Sequence, residues 1–215
     1  GERLSKRNAA VDVMQYEKDG FLPAAVNNYL ARLSWSRGDA EIFDMDFLAA
    51  HFDFASAQRS PARFDMAKLR WLNGEHLRAL PLAAARAKIN LPELSDAAIA
   101  LILPRSETLE EARAHAEYFL RRPPPPAALF AKHITDENRA AVEELREKLA
   151  ALQEWRAAEI KSAMKETMRA HKLKFPQIGM PFRALLTGRE QSPDIAEVAE
   201  VLGKPETLER MKPVD

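Results

Sequence analysis

The stretch DENRAAVEELREKLAALQEWRAAEIKSAMKETMRAH, residues 136–171, decides the fold class. Val142, Leu145, Leu149 and Leu152 recur at intervals of three and four, which is the period of a helix with one buried face. Asp136 opens this helix, and a second runs from about Ala157 to His171. Glu143, Glu144 and Glu147 then fall on the solvated side, as a charged face rather than an acid–base pair. The pattern extends outward in both directions. Residues 21–33 place Leu22, Val26, Tyr29, Leu30 and Leu33 on one face, with Pro23 in the first turn, where its missing N–H is harmless. Residues 44–52 form a short helix with an acidic start. Asp65 caps a helix through Leu69, Leu72 and His76. Ser95 caps 97–103, which Pro104 interrupts. Residues 106–120 begin with Thr108 and Glu111 in capping-box spacing. The last helices are 181–186, 193–202 with Ser192 as its cap, and 205–211. Strand-like alternation is almost absent, so the chain reads as all-α.

Composition narrows the function. The 215 residues carry 32 Lys and Arg against 32 Asp and Glu, a net charge of zero, which rules out a histone-like binder but not local basic patches. At 47% hydrophobic the chain can bury a core. It has no cysteine, so disulfides, thiolate nucleophiles and Cys-held zinc are excluded within it. No two of its five histidines stand three or four residues apart, so a helical zinc site has no local support. Nucleophile-elbow, P-loop and dinucleotide glycine motifs are all missing. No apolar run approaches the roughly 18 residues of a membrane span. The polar, basic start is not a signal peptide. A soluble cytoplasmic protein with no membrane partner is the expectation. The chain does not start with Met, which is read here as a trimmed parent.

Charge is unevenly spread. Arg169, Lys172, Lys174, Arg183 and Arg189 lie in a 21-residue stretch without an acid. Arg59, Arg63, Lys68, Arg70 and Arg78 form a second cluster. Phosphate backbones need such cation density; a solvated helix face is the other reading, and charge alone leaves both open. Residues 121–126, RRPPPP, cannot be helical and read as a stiff polyproline connector, with an SH3-type ligand as the alternative. Residues 90–95 are another break. Trp35, Trp71 and Trp155 read as core.

Leu4-Ser5-Lys6-Arg7, the text from Val11 to Phe43, SPARFDMAKLRWLN at 60–73 and GMPFRALLTGREQSPDIAEVAEVLGKPETLERM at 179–211 resemble bacterial glutamyl-tRNA synthetase in order and spacing. The resemblance runs from Arg3 to about Met211. It implies the C-terminal part of a class I synthetase, from the KMSKS-like loop onward, with the N-terminal Rossmann catalytic domain missing. Residues 1–90 would hold the signature loop and stem-contact helices. Residues 91–215 would form a two-part helical anticodon-binding domain, divided near 121–135 or later. The parent would join L-glutamate to tRNA-Glu using ATP with magnesium. No cofactor is expected on the fragment, and alone it is expected to make no glutamyl-tRNA.

The same resemblance assigns residues. Lys6 matches the lysine that steadies the ATP triphosphate, although Asn8-Ala9 replace the usual His-Gly. Arg105, in LPRSETL, matches the arginine that reads the third anticodon base and favours tRNA-Glu over tRNA-Gln, although Pro104 replaces the family's acid. Arg183, Thr187, Ser192 and Ile195 match the segment that meets the first anticodon base. Arg59 and Arg63 would touch the tRNA stem. The rival readings are pairing of Arg105 with Glu107 or another nearby carboxylate, a mere helix boundary at Thr187–Pro193, a non-discriminating or tRNA-Gln-preferring enzyme, and a helical protein-interaction scaffold.

Overall fold

The computed structural model describes residues 13–57, 64–124 and 127–212. Lys6, Asn8-Ala9, Arg59, Arg63 and the end of the proline run lie outside them. Among the described residues there are thirteen α-helices and no strand. They fall into two compact units, Gly1–Pro92 with Leu103–Ala114, and Glu93–Ile102 with His115–Asp215.

In the first unit, α1 (Val13–Lys18) precedes α2 (Pro23–Ser34), which packs on α4 (Met66–Arg78) through Phe21, Val26, Tyr29, Leu69 and Leu72. Leu22, Ala25 and Leu77 extend the contact. The inward face of α2 includes Ala25, Val26 and Tyr29, whereas Leu30, expected there, is exposed. Helix α3 (Met45–His51) is capped by Asp44, and α4 by Asp65, whose carboxylate accepts from the Lys68 N–H at 3.1 Å. Helix α5 (Leu82–Ile89) was not visible as a periodic pattern. It ends on Asn90 in the left-handed conformation, φ 56°. Arg113 donates to the Ile89 and Lys88 carbonyls at 2.9 and 3.0 Å, covering acceptors that every helix end exposes.

Buried Asn28 fastens the loop after α2. Its amide donates to the Glu41 carbonyl (3.0 Å) and its Oδ1 accepts from the Phe43 N–H (3.0 Å). The same oxygen faces His76 Nε2 at 3.0 Å, so that nitrogen carries the proton. Burial lowers the His76 pKa from 6.5, with the Asp44 charge opposing. A depressed histidine pKa means that the unfolded chain takes the proton first. Stability of this unit should therefore fall as pH drops below about 6.5, and stop falling below the folded-state value. His76→Gln, which keeps a donor but cannot titrate, should flatten that slope in denaturation midpoints measured from pH 7.5 to 5.

The second unit comprises α6 (Asp96–Ile102), α8 (Ala127–His133), α9 (Arg139–Ala151), α10 (Ala157–Ala170), α11 (Phe175–Thr187), α12 (Ile195–Leu202) and α13 (Lys204–Arg210). Leu145, Leu149, Ile160, Ile178, Phe182, Leu186 and Val198 make its core, with Trp155 packed against them. Trp35 is core in the first unit, and Trp71 is partly buried beneath Lys68. Helix α7 (Leu109–Leu120) contributes to both units.

Four boundaries differ from expectation: the first is that of α9, which starts at Arg139 after a turn at 136–138, so Asp136 does not open it. Helix α7 starts at Leu109 rather than Ser106: Thr108 accepts from the Glu111 N–H at 3.1 Å, but the Glu111 carboxylate reaches past Thr108 to the Glu107 N–H at 2.8 Å. Helix α11 starts six residues early and contains Pro181 in its interior. A mid-helix proline deprives the carbonyl four residues earlier of its donor. Here that carbonyl is on Gln177, and Asn138 Nδ2 donates to it at 3.0 Å. Helix α12 starts at Ile195 and its cap is Asp194, which accepts from the Ala196 and Glu197 N–H groups; Ser192, expected as cap, does not fill that role.

Candidate nucleic-acid interface

Arg105 ends a 3-10 turn, Leu103–Arg105, in the first unit. Its side chain is exposed. The carboxylate that the rival reading pairs with it is occupied elsewhere. Glu107 pairs with Arg70 Nε at 2.9 Å, and Glu111 with Arg70 Nη2. The Glu111 hydrogen bond raises the Arg70 pKa further, so the clamp stays charged. Asn73, fully buried on α4, donates to the Glu107 carbonyl at 2.5 Å and accepts from the Leu22 N–H at 2.7 Å. Arg70 and Asn73 thus hold the turn that projects Arg105, and keep the adjacent acids away from it.

Most of the second basic cluster is structural. Lys68 pairs with Glu41 at 2.5 Å and lies 4.0 Å from the Trp71 ring centroid. Arg78 pairs with Glu75 at 2.5 Å. A cation matched to a carboxylate attracts little phosphate. Lys68, Arg70 and Arg78 therefore read as parts of the fold rather than as a phosphate-binding patch, the two readings that charge alone left open.

In the second unit α11 and α12 bring Arg183 and Ser192 together. Arg183 Nε donates to Ser192 Oγ at 2.9 Å, and Ser192 Oγ donates to the Pro193 carbonyl at 2.8 Å. Thr187, only 1% exposed, donates to the Arg183 carbonyl at 2.8 Å and accepts from the Arg189 N–H at 3.2 Å. Ile195 is 2% exposed. Thr187 and Ile195 shape this corner from beneath, and their side chains present almost no surface. Gly188, at φ 65°, ends α11 in the left-handed conformation, so the helix-boundary reading of Thr187-Gly188 holds as well. Arg189 lies 3.5 Å from Glu117 and over the Tyr118 ring. Arg169, Lys172 and Lys174 are exposed.

Arg183 and Ile195 also line a cleft of about 250 Å³ between α10, α11 and α12. Its other walls are Lys161, Met164, Lys165, Met168, Phe175, Asp194 and Ala196. Lys161 pairs with Asp194 at 3.0 Å, and that hydrogen bond raises its pKa. The sequence reading missed Lys161, Lys165 and Phe175. The available signal was the stripe Lys161, Met164, Lys165, Met168, which alternates cation and thioether on one helix face.

Residues 65–214 match the family of the anticodon binding domain. The chain belongs to that family. Residues 1–71 match the catalytic domain of class I tRNA synthetases (E and Q). The chain is 42% identical to the glutamate–tRNA ligase of Nitrosomonas eutropha, over 99% of its own length and 48% of that protein. It is also 42% identical to the glutamate–tRNA ligase of Nitrosospira multiformis, over 98% of its length and 48% of that one. The crystal structure of a glutamate tRNA ligase from Elizabethkingia meningosepticum superimposes with a TM-score of 0.81 at 26% identity, covering 91% of this chain and 41% of that one. The chain therefore spans about half the length of the curated relatives it matches. Within the anticodon-binding family, Arg105, Arg183 and Ser192 all fall in the matched segment. Among the described residues no helix is long and apolar enough to cross a membrane, and no cluster of three or more His, Cys, Asp or Glu could hold a metal ion.

Proposed function

We propose that this chain grips the inner corner and anticodon arm of tRNA-Glu, as the tRNA-binding part of a cytoplasmic enzyme that joins L-glutamate to tRNA with ATP and magnesium. Residues 1–90 would meet the stem, through Arg59 and Arg63, and carry Lys6 towards ATP. Residues 91–215 would read the anticodon. The observation that carries this reading is the disposition of charge around Arg105. Its neighbouring carboxylates are bound by Arg70, which leaves an exposed guanidinium with no ion pair among the described residues. Planar guanidinium donors suit base edges as well as phosphate. In the second unit Arg183, held at Nε by Ser192 and at Nη1 by the Met180 sulfur at 3.2 Å, would set the plane of its guanidinium against another base, with Thr187 and Ile195 fixing the corner beneath.

Filter binding with tRNA-Glu tests the reading. Affinity should fall steeply with salt despite zero net charge, because phosphate contacts release counterions. Arg105→Ala and Arg183→Ala should each cost about 1–3 kcal/mol and relax base choice at one anticodon position. A loss equal for every anticodon would assign these residues to phosphate instead. Failure to bind any tRNA at low salt would refute the proposal. The same assay with tRNA-Gln decides between the two substrates.

A further inference from the structure

We propose that Glu190 is a positioning residue for base discrimination: by holding Lys132 and His133 of α8 it fixes the loop that places Ser192 against Arg183. This deepens the anticodon-binding reading and rests on it. The loop runs from Gly188, which ends α11, to Asp194, which caps α12. Two adjacent residues tie it to two different helices. Arg189 reaches Glu117 on α7 at 3.5 Å and lies 5.8 Å from the Tyr118 ring centroid. Glu190 reaches α8, where one carboxylate oxygen accepts from Lys132 Nζ at 2.5 Å and lies 3.1 Å from His133 Nε2. A carboxylate has no proton to give, so that nitrogen is the donor. Helices α7 and α8 flank the proline run, ending at Leu120 and starting at Ala127. The loop is thus stapled to both sides of that run. Ser192 follows Glu190 by two residues, and two residues span at most about 7 Å. A displacement of Glu190 therefore reaches the oxygen that accepts from Arg183 Nε at 2.9 Å.

The energetics favour a positioning role over a stabilising one. The Glu190 and Lys132 side chains are 47% and 62% exposed, and ion pairs so open to water add little to the stability of a fold. Position is another matter. Two donors on one oxygen, from consecutive residues of one helix, define the place of the carboxylate as a single flexible lysine would not. The Lys132 hydrogen bond, and after it the His133 one, hold the Glu190 carboxyl below its ordinary range, so the clamp keeps its charge at neutral pH. An acid on an RNA-binding surface repels phosphate. Glu190 also withholds the Lys132 cation from that phosphate. Both effects lower affinity for every RNA alike. Specificity is a difference of affinities, so giving up unspecific attraction for a fixed base-reading corner raises it.

The test uses the 215-residue chain in filter binding, with a tRNA-Glu transcript and one changed only at the first anticodon base. Glu190→Ala should lower the ratio of the two affinities by about five-fold or more, towards the value for Arg183→Ala. Its affinity for the changed transcript should rise, and its salt slope should steepen by about 0.7, because Lys132 becomes free to meet a phosphate. Its thermal midpoint should stay close to that of wild type. Damage to the fold would not tighten binding of the wrong transcript, so this pattern separates positioning from stability. Exchanging the charges, Lys132→Glu with Glu190→Lys, should recover part of the ratio that Glu190→Ala loses. A ratio for Glu190→Ala equal to wild type, or an equal loss of affinity for both transcripts, beside a lowered ratio for Arg183→Ala, refutes the positioning role and leaves the anticodon reading standing. If Arg183→Ala also keeps the wild-type ratio, or wild type binds no tRNA, both fall together.

Discussion

Arg210→Met is expected to remove about 4 kcal/mol from the stability of the second unit. Arg210 is 2% exposed on α13. Its Nη1 donates to the Tyr118 carbonyl at 2.8 Å and to the Leu186 carbonyl at 2.5 Å, and its Nε donates to Glu206 at 2.7 Å. Tyr118 and Leu186 lie in the last turns of α7 and α11, where carbonyls lack partners within the helix and the macrodipole favours a cation. The Glu206 pair matters less, because that carboxylate is 42% exposed and water replaces its partner readily. The loss comes from two buried acceptors left empty, at about 1–3 kcal/mol each. A total near 4 kcal/mol is a large part of the ~5–15 kcal/mol that holds a domain. Urea denaturation followed by Trp155 fluorescence reports it. Arg210→Lys keeps the charge and enough donors for both carbonyls, but its shorter stem does not bring the ammonium to the position of Nη1 and it loses the Nε bond to Glu206, so it should fall between wild type and Arg210→Met. A midpoint for Arg210→Met within error of wild type would show that water reaches these carbonyls.

Arg210 also marks what the sequence could not show. Its partners are 24 and 92 residues away, and nothing local distinguishes it from a surface arginine in the last turn of a helix. Helix caps that depend on near neighbours were partly legible: Asp65 and Ser95 accept from the N–H groups three residues on, as their spacing predicts, whereas Asp136 and Ser192 do not start the helices read from them. Pro181 was misleading for the opposite reason. Proline inside a helix is unfavourable unless something relieves the stranded carbonyl, and the relief comes from Asn138, 39 residues from Gln177. The same division holds at the candidate site. Arg105 and Arg183 stood out through the text around them, whereas the clamp of Arg70 on Glu107 and Glu111 exists only once helices pack. Helices α5 and α8 show little period because alanine fills three or four positions of each and leaves few large apolar residues to mark a face.

Gly20→Ala should destabilise the first unit by about 3 kcal/mol and abolish base discrimination through Arg105. Gly20 has φ +81°, where an L side chain costs roughly 1–2 kcal/mol. Its Cβ would stand 2.7 Å from the Glu110 nitrogen and 2.9 Å from the Leu109 nitrogen. Both are backbone atoms in the first turn of α7, so no rotamer change makes room, and displacing packed backbone adds about 1–3 kcal/mol. The Gly20 carbonyl already accepts from the Leu109 N–H at 2.9 Å, so the two segments cannot part without breaking that bond. Asn73 couples the strain to the site, since it binds Leu22 on one side and the Glu107 carbonyl on the other. The turn that carries Arg105 would shift with Glu107. Gly38 supplies the control: its φ is +59°, but a Cβ there meets nothing within 4 Å. Gly38→Ala should therefore cost only the conformational part, and leave the ratio of affinities for matched and mismatched anticodons unchanged. Gly20→Ala should bring that ratio down to the value for Arg105→Ala. Equal midpoints and equal ratios for the two glycine variants would mean that the start of α7 yields freely, and that the packing around Asn73 does not position Arg105.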